Sequence, residues 1–505
     1  MNKRFAAFAN LFFSSSHAVF TIITGLLMVP VYLRYFSISA YGAWLASGNI
    51  IAMIAMIEPG ISTVATQRLS ASYAAYEKDR FSNIFGSSLL LSVGFGVVVI
   101  IAGLCLSPFI PSWLNAPTEQ RHPLSMALCF STLGAGTSFI FYLLGAVPQA
   151  WQRTVAPGVI GLFALSANIL AILVGLYANM GIVALGLGSF ALSVTYILGY
   201  LAYIAVIWKR LEFPRPTASL VTVCEIWHEA KMLLLAKIAG TVGKYLEAPA
   251  AALAVSTEAA AVLVLTGRVL NAVQMFADRV GTAVFAGMSH AFTRYRESAN
   301  YAVMKEVIVV STVISGLGIG FSLALSKSII ILWVGENAFG GLHLLLLLAL
   351  ASFMSSRKDL ISTLLVASGQ IRQASMWLAM EAIIRVVCIS LLVIVLKVPG
   401  IPLAAALASF ISLIGLSRIL LAMPGLPRVM LYLPGIRGCA ISLLLGLCYM
   451  HFAPKITNWP EMAVHGAVFG MVMLLANMLD KEWLSVLRQT VFAAFKVIWL
   501  RRGTI

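Results

Sequence analysis

The stretch 233-LLLAKIAGTVGKYLEAPAAALAV-255, followed by 259-AAAVLVLTGRVLNAVQMFADRVG-281, holds two apolar segments, each about long enough to cross a bilayer. Within them stand Lys237, Lys244, Glu247, Arg268, Asp278 and Arg279. A charge near the bilayer centre costs about 2.5–3.5 kcal/mol on insertion scales, so each of these needs a reason. Lys237 and Lys244 are seven residues apart, which places them on one helix face. Arg268 and Arg279, eleven apart, are about three turns from each other and share a face too. Two helices with such cationic stripes imply a wet, lined cavity, and the remaining chain reads as its housing.

Bulk composition agrees. Of 505 residues, 61% are hydrophobic and 10% charged, against about 25% charged in soluble domains. This is the composition of an all-α polytopic membrane protein. The net charge of +16 sits mostly in short loops between apolar spans, where the topology rule accounts for it. A nucleic-acid partner is therefore not expected. The six cysteines show no CxxC spacing and the seven histidines no metal-ligand spacing, so neither a metal nor a cofactor is expected. The opening MNKRFAAFANLFFSSSHAVFTIITGLL has a basic start like a signal peptide. Its apolar run continues to about Val31 without a clear cleavage site, which predicts an uncleaved first span.

Hydropathy predicts about fourteen spans, near 12–33, 44–66, 84–109, 123–149, 156–177, 182–207, 230–251, 258–288, 306–332, 342–367, 376–396, 401–422, 436–453 and 461–480. With the N-terminus inside, 21 Lys/Arg fall on the inner side, five on the outer side and eight within spans. The asymmetry predicts both termini in the cytoplasm. The organisation expected is an N-lobe of six helices at 1–207, a linker at 208–229 and a C-lobe of six helices at 230–425. Two further helices at 426–480 and a tail at 481–505 complete it. In the tail, Leu484, Leu487, Val491, Phe495 and Ile498 recur at helical spacing among basic residues, which predicts an amphipathic helix on the anionic inner leaflet.

The halves are related. A shift of 219 residues aligns VPVYLRYFSISAYGAWLASGNIIAMIAMIEPG with APAAALAVSTEAAAVLVLTGRVLNAVQMFADR, placing Pro30 on Pro249, Ser37 on Ser256 and Gly48 on Gly267. Parallel repeats with a substrate site between them would follow.

All eight intramembrane bases lie in the second half: Lys237, Lys244, Arg268, Arg279, Arg357, Lys358, Arg385 and Arg418. One reading is a cationic cavity wall for an anionic substrate, formed by Lys237, Lys244, Arg268, Arg357, Lys358 and Arg385, with guanidinium forks suited to phosphate oxygens. The other is local neutralisation. Glu381 and Arg385 are spaced i,i+4 with the acid first, the favourable order for a pair. Lys244 and Glu247 could pair at i,i+3, while Arg279, Arg418 and Lys231 could snorkel. Acids are too few to neutralise Lys237, Lys244 and Arg268. Glu58, in MIEPG, is either a carboxylate that exchanges a coupling cation or a cap on a helix break at Pro59-Gly60; Glu247 and Asp278 are further candidates for cation coupling.

The opening 24-TGLLMVPVYLRYFSISAYGAWLASGNIIAMIAMIEPGISTVATQRLSASYAAYEKDR-80 resembles the first two helices of Wzx-type polysaccharide flippases, members of the multidrug/oligosaccharidyl-lipid/polysaccharide exporter superfamily. The resemblance rests on a proline near the end of the first helix, the pair Tyr41-Gly42 and an acid-x-Gly motif, Glu58-Pro59-Gly60, before a basic inner loop. Glu-Pro stands where Asp-Leu is frequent. The resemblance implies a MATE-like fold in the bacterial inner membrane and flipping of an undecaprenyl-pyrophosphate-linked oligosaccharide by alternating access, driven by protons or sodium. It also implies membrane lipid and the polysaccharide polymerase machinery as partners. Two alternatives remain: a lipid II flippase of the MurJ type or a multidrug antiporter, and a membrane enzyme such as a polymerase, ligase or acyltransferase. Buried bases oppose a cationic drug cargo, and an enzyme would need a large outer loop or a His/Asp constellation that the chain lacks.

Overall fold

The segments that hydropathy marks as spans are helical because a backbone in lipid must satisfy its own hydrogen bonds. The computed structural model describes residues 3–55, 59–153, 155–275, 298–422, 435–452, 454 and 456–485; side chains are described in these apart from 3–16, 18, 22, 55, 59, 232–244 and 298–303. The helices are α1 (Lys3–Tyr35), α2 (Ile38–Ala55), α3 (Pro59–Ala74), α4 (Lys78–Leu106), α5 (Ile110–Trp113), α6 (Thr118–Ala150), α7 (Val155–Tyr177), α8 (Val183–Arg210), α9 (Leu220–Tyr245), α10 (Glu247–Ala254) and α11 (Thr257–Thr266). They continue with α12 (Ser298–Val334), α13 (Gly341–Ala367), α14 (Ile371–Leu396), α15 (Gly400–Leu421), α16 (Ile436–Phe452) and α17 (Trp459–Asn477). Each of the fourteen expected spans contains described helix, three of them in pieces. Span 44–66 includes parts of α2 and α3, span 230–251 divides between α9 and α10 with the break at Leu246, and span 258–288 is interrupted at Gly267 between α11 and a helical stretch at 268–275. The protein is an all-α polytopic membrane protein.

The chain forms two compact units, residues 1–261 and 262–505. In the first, α6 is central and packs against α2, α3, α4 and α8, while α7 lies between α8 and α1. The close approach of α6 and α8 depends on Gly186, where a Cβ would overlap the Ala127 carbonyl. The chain after α8 folds back along α4. Lys78 Nζ donates to the Leu211 carbonyl (2.7 Å), Ser82 Oγ to that of Pro214 (3.1 Å), and the Ser219 N–H to Ser87 Oγ (3.1 Å). This strap sets α9 against α3 and α4. There Arg68 of α3 grips two carboxylates one α9 turn apart, Glu225 and Glu229, at 2.7 Å each. Beneath the strap Phe81, Phe85, Trp151, Trp208 and Phe213 form an aromatic cluster, with Phe81 and Phe213 centroids 4.7 Å apart.

In the second unit α13 packs on α15, α15 on α14, and α12 on α13 and α16, with α17 against α16 and α12. Lipid inverts the usual patterning, since large apolar side chains may face outward at no cost. On α14, Met376, Met380, Ile383, Val387, Leu391 and Ile394 are exposed, whereas Ala374, Glu381, Ala382, Arg385 and Ile389 are buried. That inner stripe has the helical period and turns Glu381 and Arg385 into the protein, while Arg372 in the first turn of α14 is exposed.

The 219-residue relation is visible in the element ends. α1 ends at Tyr35 and α10 at Ala254; α2 begins at Ile38 and α11 at Thr257; α7 ends at Tyr177 and α14 at Leu396. Even the caps correspond. Ser37 Oγ accepts from the Ala40 N–H (3.2 Å) and Ser256 Oγ from the Ala259 N–H (3.1 Å).

Candidate functional site

The densest set of expected residues lies on α13, α14 and α15. Arg357, Lys358, Glu381 and Arg385 are only 5–8% exposed. Lys358 Nζ bridges Glu381 Oε2 (2.8 Å) and Asp359 Oδ1 (3.0 Å). Arg385 Nη2 reaches Glu381 Oε1 at 2.8 Å and donates to Ser409 Oγ at 3.1 Å. Ser409 Oγ in turn donates to Glu381 Oε1 (3.0 Å) and lies 3.1 Å from Ser355 Oγ. Arg357 leaves the other side of α13 and donates to Thr312 Oγ1 of α12.

Charge counting shows what this arrangement can do. Within the network Glu381 is the one buried acid among three buried bases, while the side chain of Asp359 remains 40% exposed. Asp480, the other buried acid of the unit among the described residues, is held by the Gly438 and Glu482 N–H groups, which leaves a surplus of one buried base. A buried pair persists where additional hydrogen bonds satisfy the carboxylate, and here Ser409, Lys358 and Arg385 do so. The surplus of positive charge would favour an anion in any polar passage beside α13. Positions 219 residues earlier are Ser138, Phe139, Leu162, Ser166 and Phe190, so the network belongs to the second repeat only.

The spacing of Glu381 and Arg385 produces the expected pair, but the pair is part of a larger network. Lys358 and Ser409 come from other helices, and no periodicity in the sequence joins them to Glu381. Polar residues in apolar runs, Ser355, Ser409 and Thr312, were the available signal. Arg418 is exposed, as snorkelling requires. Arg268 follows the turn at Gly267 and is half-buried; among the described residues it makes no hydrogen bond or ion pair. Glu247 is the half-buried first residue of α10, so its i,i+3 relation to Lys244 straddles the break at Leu246. Lys237 and Lys244 both belong to α9, with side chains outside the described residues; Glu58, Asp278 and Arg279 lie outside them altogether. So do residues 486–505, which hold most of the amphipathic tail. Among the described residues no group of His, Cys, Asp or Glu could hold a metal.

No family model and no curated protein matches the chain. Solved structures do. Lipid II flippase MurJ in an inward closed conformation matches with a TM-score of 0.69 at 13% identity, over 94% of this chain and 99% of that one. An inward-facing multidrug resistance MATE family transporter of the MOP superfamily matches with a TM-score of 0.65 at 12% identity, over 80% and 95%. The chain has a MATE-like fold. A further MATE structure, in a bent conformation, matches with a TM-score of 0.56 at 13% identity over 92% of this chain and 97% of its own. Within the MATE-like fold of this protein the buried bases therefore occupy the second of two similar six-helix sets.

Proposed function

We propose that this protein flips an undecaprenyl-pyrophosphate-linked oligosaccharide, the repeat unit of an O-antigen, capsule or exopolysaccharide, across the bacterial inner membrane by alternating access. The observation that carries the reading is the cationic surplus of the second unit, in a fold shared with membrane transporters and a lipid flippase. A pyrophosphate headgroup is the anion that a set of guanidinium and ammonium groups suits. Arg268, half-buried and without a partner among the described residues, is the first contact assigned to it; Lys237, Lys244 and Arg357 are the further contacts the reading assigns. Lys358 and Arg385 hold the wall through Glu381. Glu58, Glu247 and Asp278 are the candidates for binding a coupling proton or sodium ion. The reading makes the protein a transporter rather than an enzyme.

The test follows lipid-linked glycan on each face of the inner membrane in cells lacking the protein. Glycan should accumulate on the cytoplasmic face, with rescue by wild type but not by Arg268→Ala. Normal translocation with unpolymerised product outside would instead indicate an enzyme and end the flippase reading. The likeness to MurJ, which extends over the two helices after the second set of six, favours lipid II as a second cargo. Accumulation of lipid II in the same cells would select it.

A further inference from the structure

A second polar site lies in the first unit, well apart in the chain from the charged network. A cavity of about 590 Å³ opens where α3 and α6 end, α7 begins and α8 approaches its last turns. Such a volume suits a ligand of headgroup size. Its walls include Tyr73, Tyr76, Trp151, Gln152, Arg153 and Tyr203. Trp151 is 4% exposed, and its indole N–H is buried with no hydrogen-bond partner. The hydroxyls of Tyr73, Tyr76 and Tyr203, the Gln152 amide and the Arg153 guanidinium likewise have no partner in the protein among the described residues. Of these only the Trp151 N–H is buried, and a buried donor is ordinarily satisfied, so its open position facing a cavity lined by further donors points to a ligand or water there. All six side chains can donate and five have nothing to offer a cation but a neutral oxygen or a ring face, so the complement is an acceptor-rich anion.

Two features identify the kind of anion. The cavity sits at the ends of α3 and α6 and the start of α7, and span ends of this kind, with tyrosine and tryptophan, are where headgroups meet a membrane protein. From it, α7 carries an exposed apolar row, Val159, Phe163, Leu170 and Val174, at the spacing of one helix face. A headgroup in the cavity would leave its hydrocarbon along that row. Tyr76, 91% exposed, and Gln152 are both held at positive φ (61° and 57°), conformations that non-glycine residues adopt sparingly.

We propose that this cavity seats the phosphate of a membrane lipid headgroup, with Arg153 as its counter-ion and Tyr76, Trp151 and Tyr203 as its walls. The proposal does not depend on transport, and the lipid could be a bulk phospholipid or a polyprenyl carrier. The full chain, in phosphate-free dodecyl maltoside micelles, is titrated with radiolabelled phosphatidylglycerol in one arm and undecaprenyl pyrophosphate in the other. Saturable binding is expected in at least one arm, weakened about tenfold by Arg153→Gln, the value of one lost charge-assisted hydrogen bond. Arg153→Lys should retain part of it. Binding in the first arm alone assigns a phospholipid, in the second alone a carrier, and in both the phosphate common to them. Should Arg153→Gln fail to fold, the rim variant Tyr76→Ala replaces it, with the same direction expected. Absence of saturable binding in both arms, or affinities that neither variant alters, would overturn the proposal. Saturable binding, together with normal glycan translocation in cells lacking the protein, would leave this site standing and the proposed cargo not.

Discussion

Glu381 is the residue on which the charged network turns. It accepts from Lys358 of α13, Arg385 of its own helix and Ser409 of α15, so its removal takes the buried carboxylate from two bases at once and leaves Lys358 with the half-exposed Asp359. Breaking a buried pair by deleting one partner costs about 3–5 kcal/mol, whereas replacing all partners with apolar groups of similar size is often neutral. Glu381→Gln should therefore lower the melting temperature in detergent sharply. The triple change Lys358→Met, Glu381→Leu, Arg385→Met should recover most of the loss. If the single variant melts like wild type, the network is not holding α13 to α14. The pair Glu381–Arg385 was legible in the sequence because one helix carries both partners four residues apart. The bond to Lys358 was not, since the two residues are 23 apart on separate helices. Arg268 stood out on hydropathy alone, and that it has no partner among the described residues became visible only with its neighbours in place.

Among the elements, the starts of α2 and α11 are equivalent under the 219-residue shift, and they touch. Ser39 Oγ and Thr257 Oγ1 are 2.8 Å apart, and Gly42 lies against the Thr257 carbonyl and the Ala261 backbone. A Cβ at Gly42 would overlap that carbonyl, which is backbone and cannot rotate away. Gly48, one and a half turns along α2, has nothing within 4 Å of its absent Cβ. Gly42→Ala should then destabilise the protein by about 1–3 kcal/mol, the cost of overpacking, while Gly48→Ala leaves it unchanged. Equal melting of the two variants would contradict the close approach. The Tyr41-Gly42 pair was noticed in the sequence as a pattern; packing supplies the physical reason for its glycine. α9 offers the opposite lesson. Hydropathy begins the span at 230, but the helix begins at Leu220, because Glu225 and Glu229 are satisfied by Arg68 and the strap is pinned to α4. Polar contacts extend a helix where an apolar index ends it.

For the molecule as a whole, about fourteen crossings with the excess of Lys/Arg on one side predict that both ends of the chain face the cytoplasm. Reporter domains fused ahead of Met1 and after Ile505 should give the cytoplasmic signal in both positions. Opposite signals would require an odd number of crossings. Hydropathy could reach the helical class, the number of crossings and the duplication, because burial in lipid acts on each segment separately and leaves its mark in local composition. The intramembrane charges were visible for the same reason, as exceptions to that composition. Which of them are neutralised, which face open space, and that tyrosines, a tryptophan and an arginine from α3, α8 and the turns after α3 and α6 surround one cavity were decided only by folding. Those properties depend on distances between helices far apart in the chain, and electrostatic and hydrogen-bond partners are chosen by proximity in space.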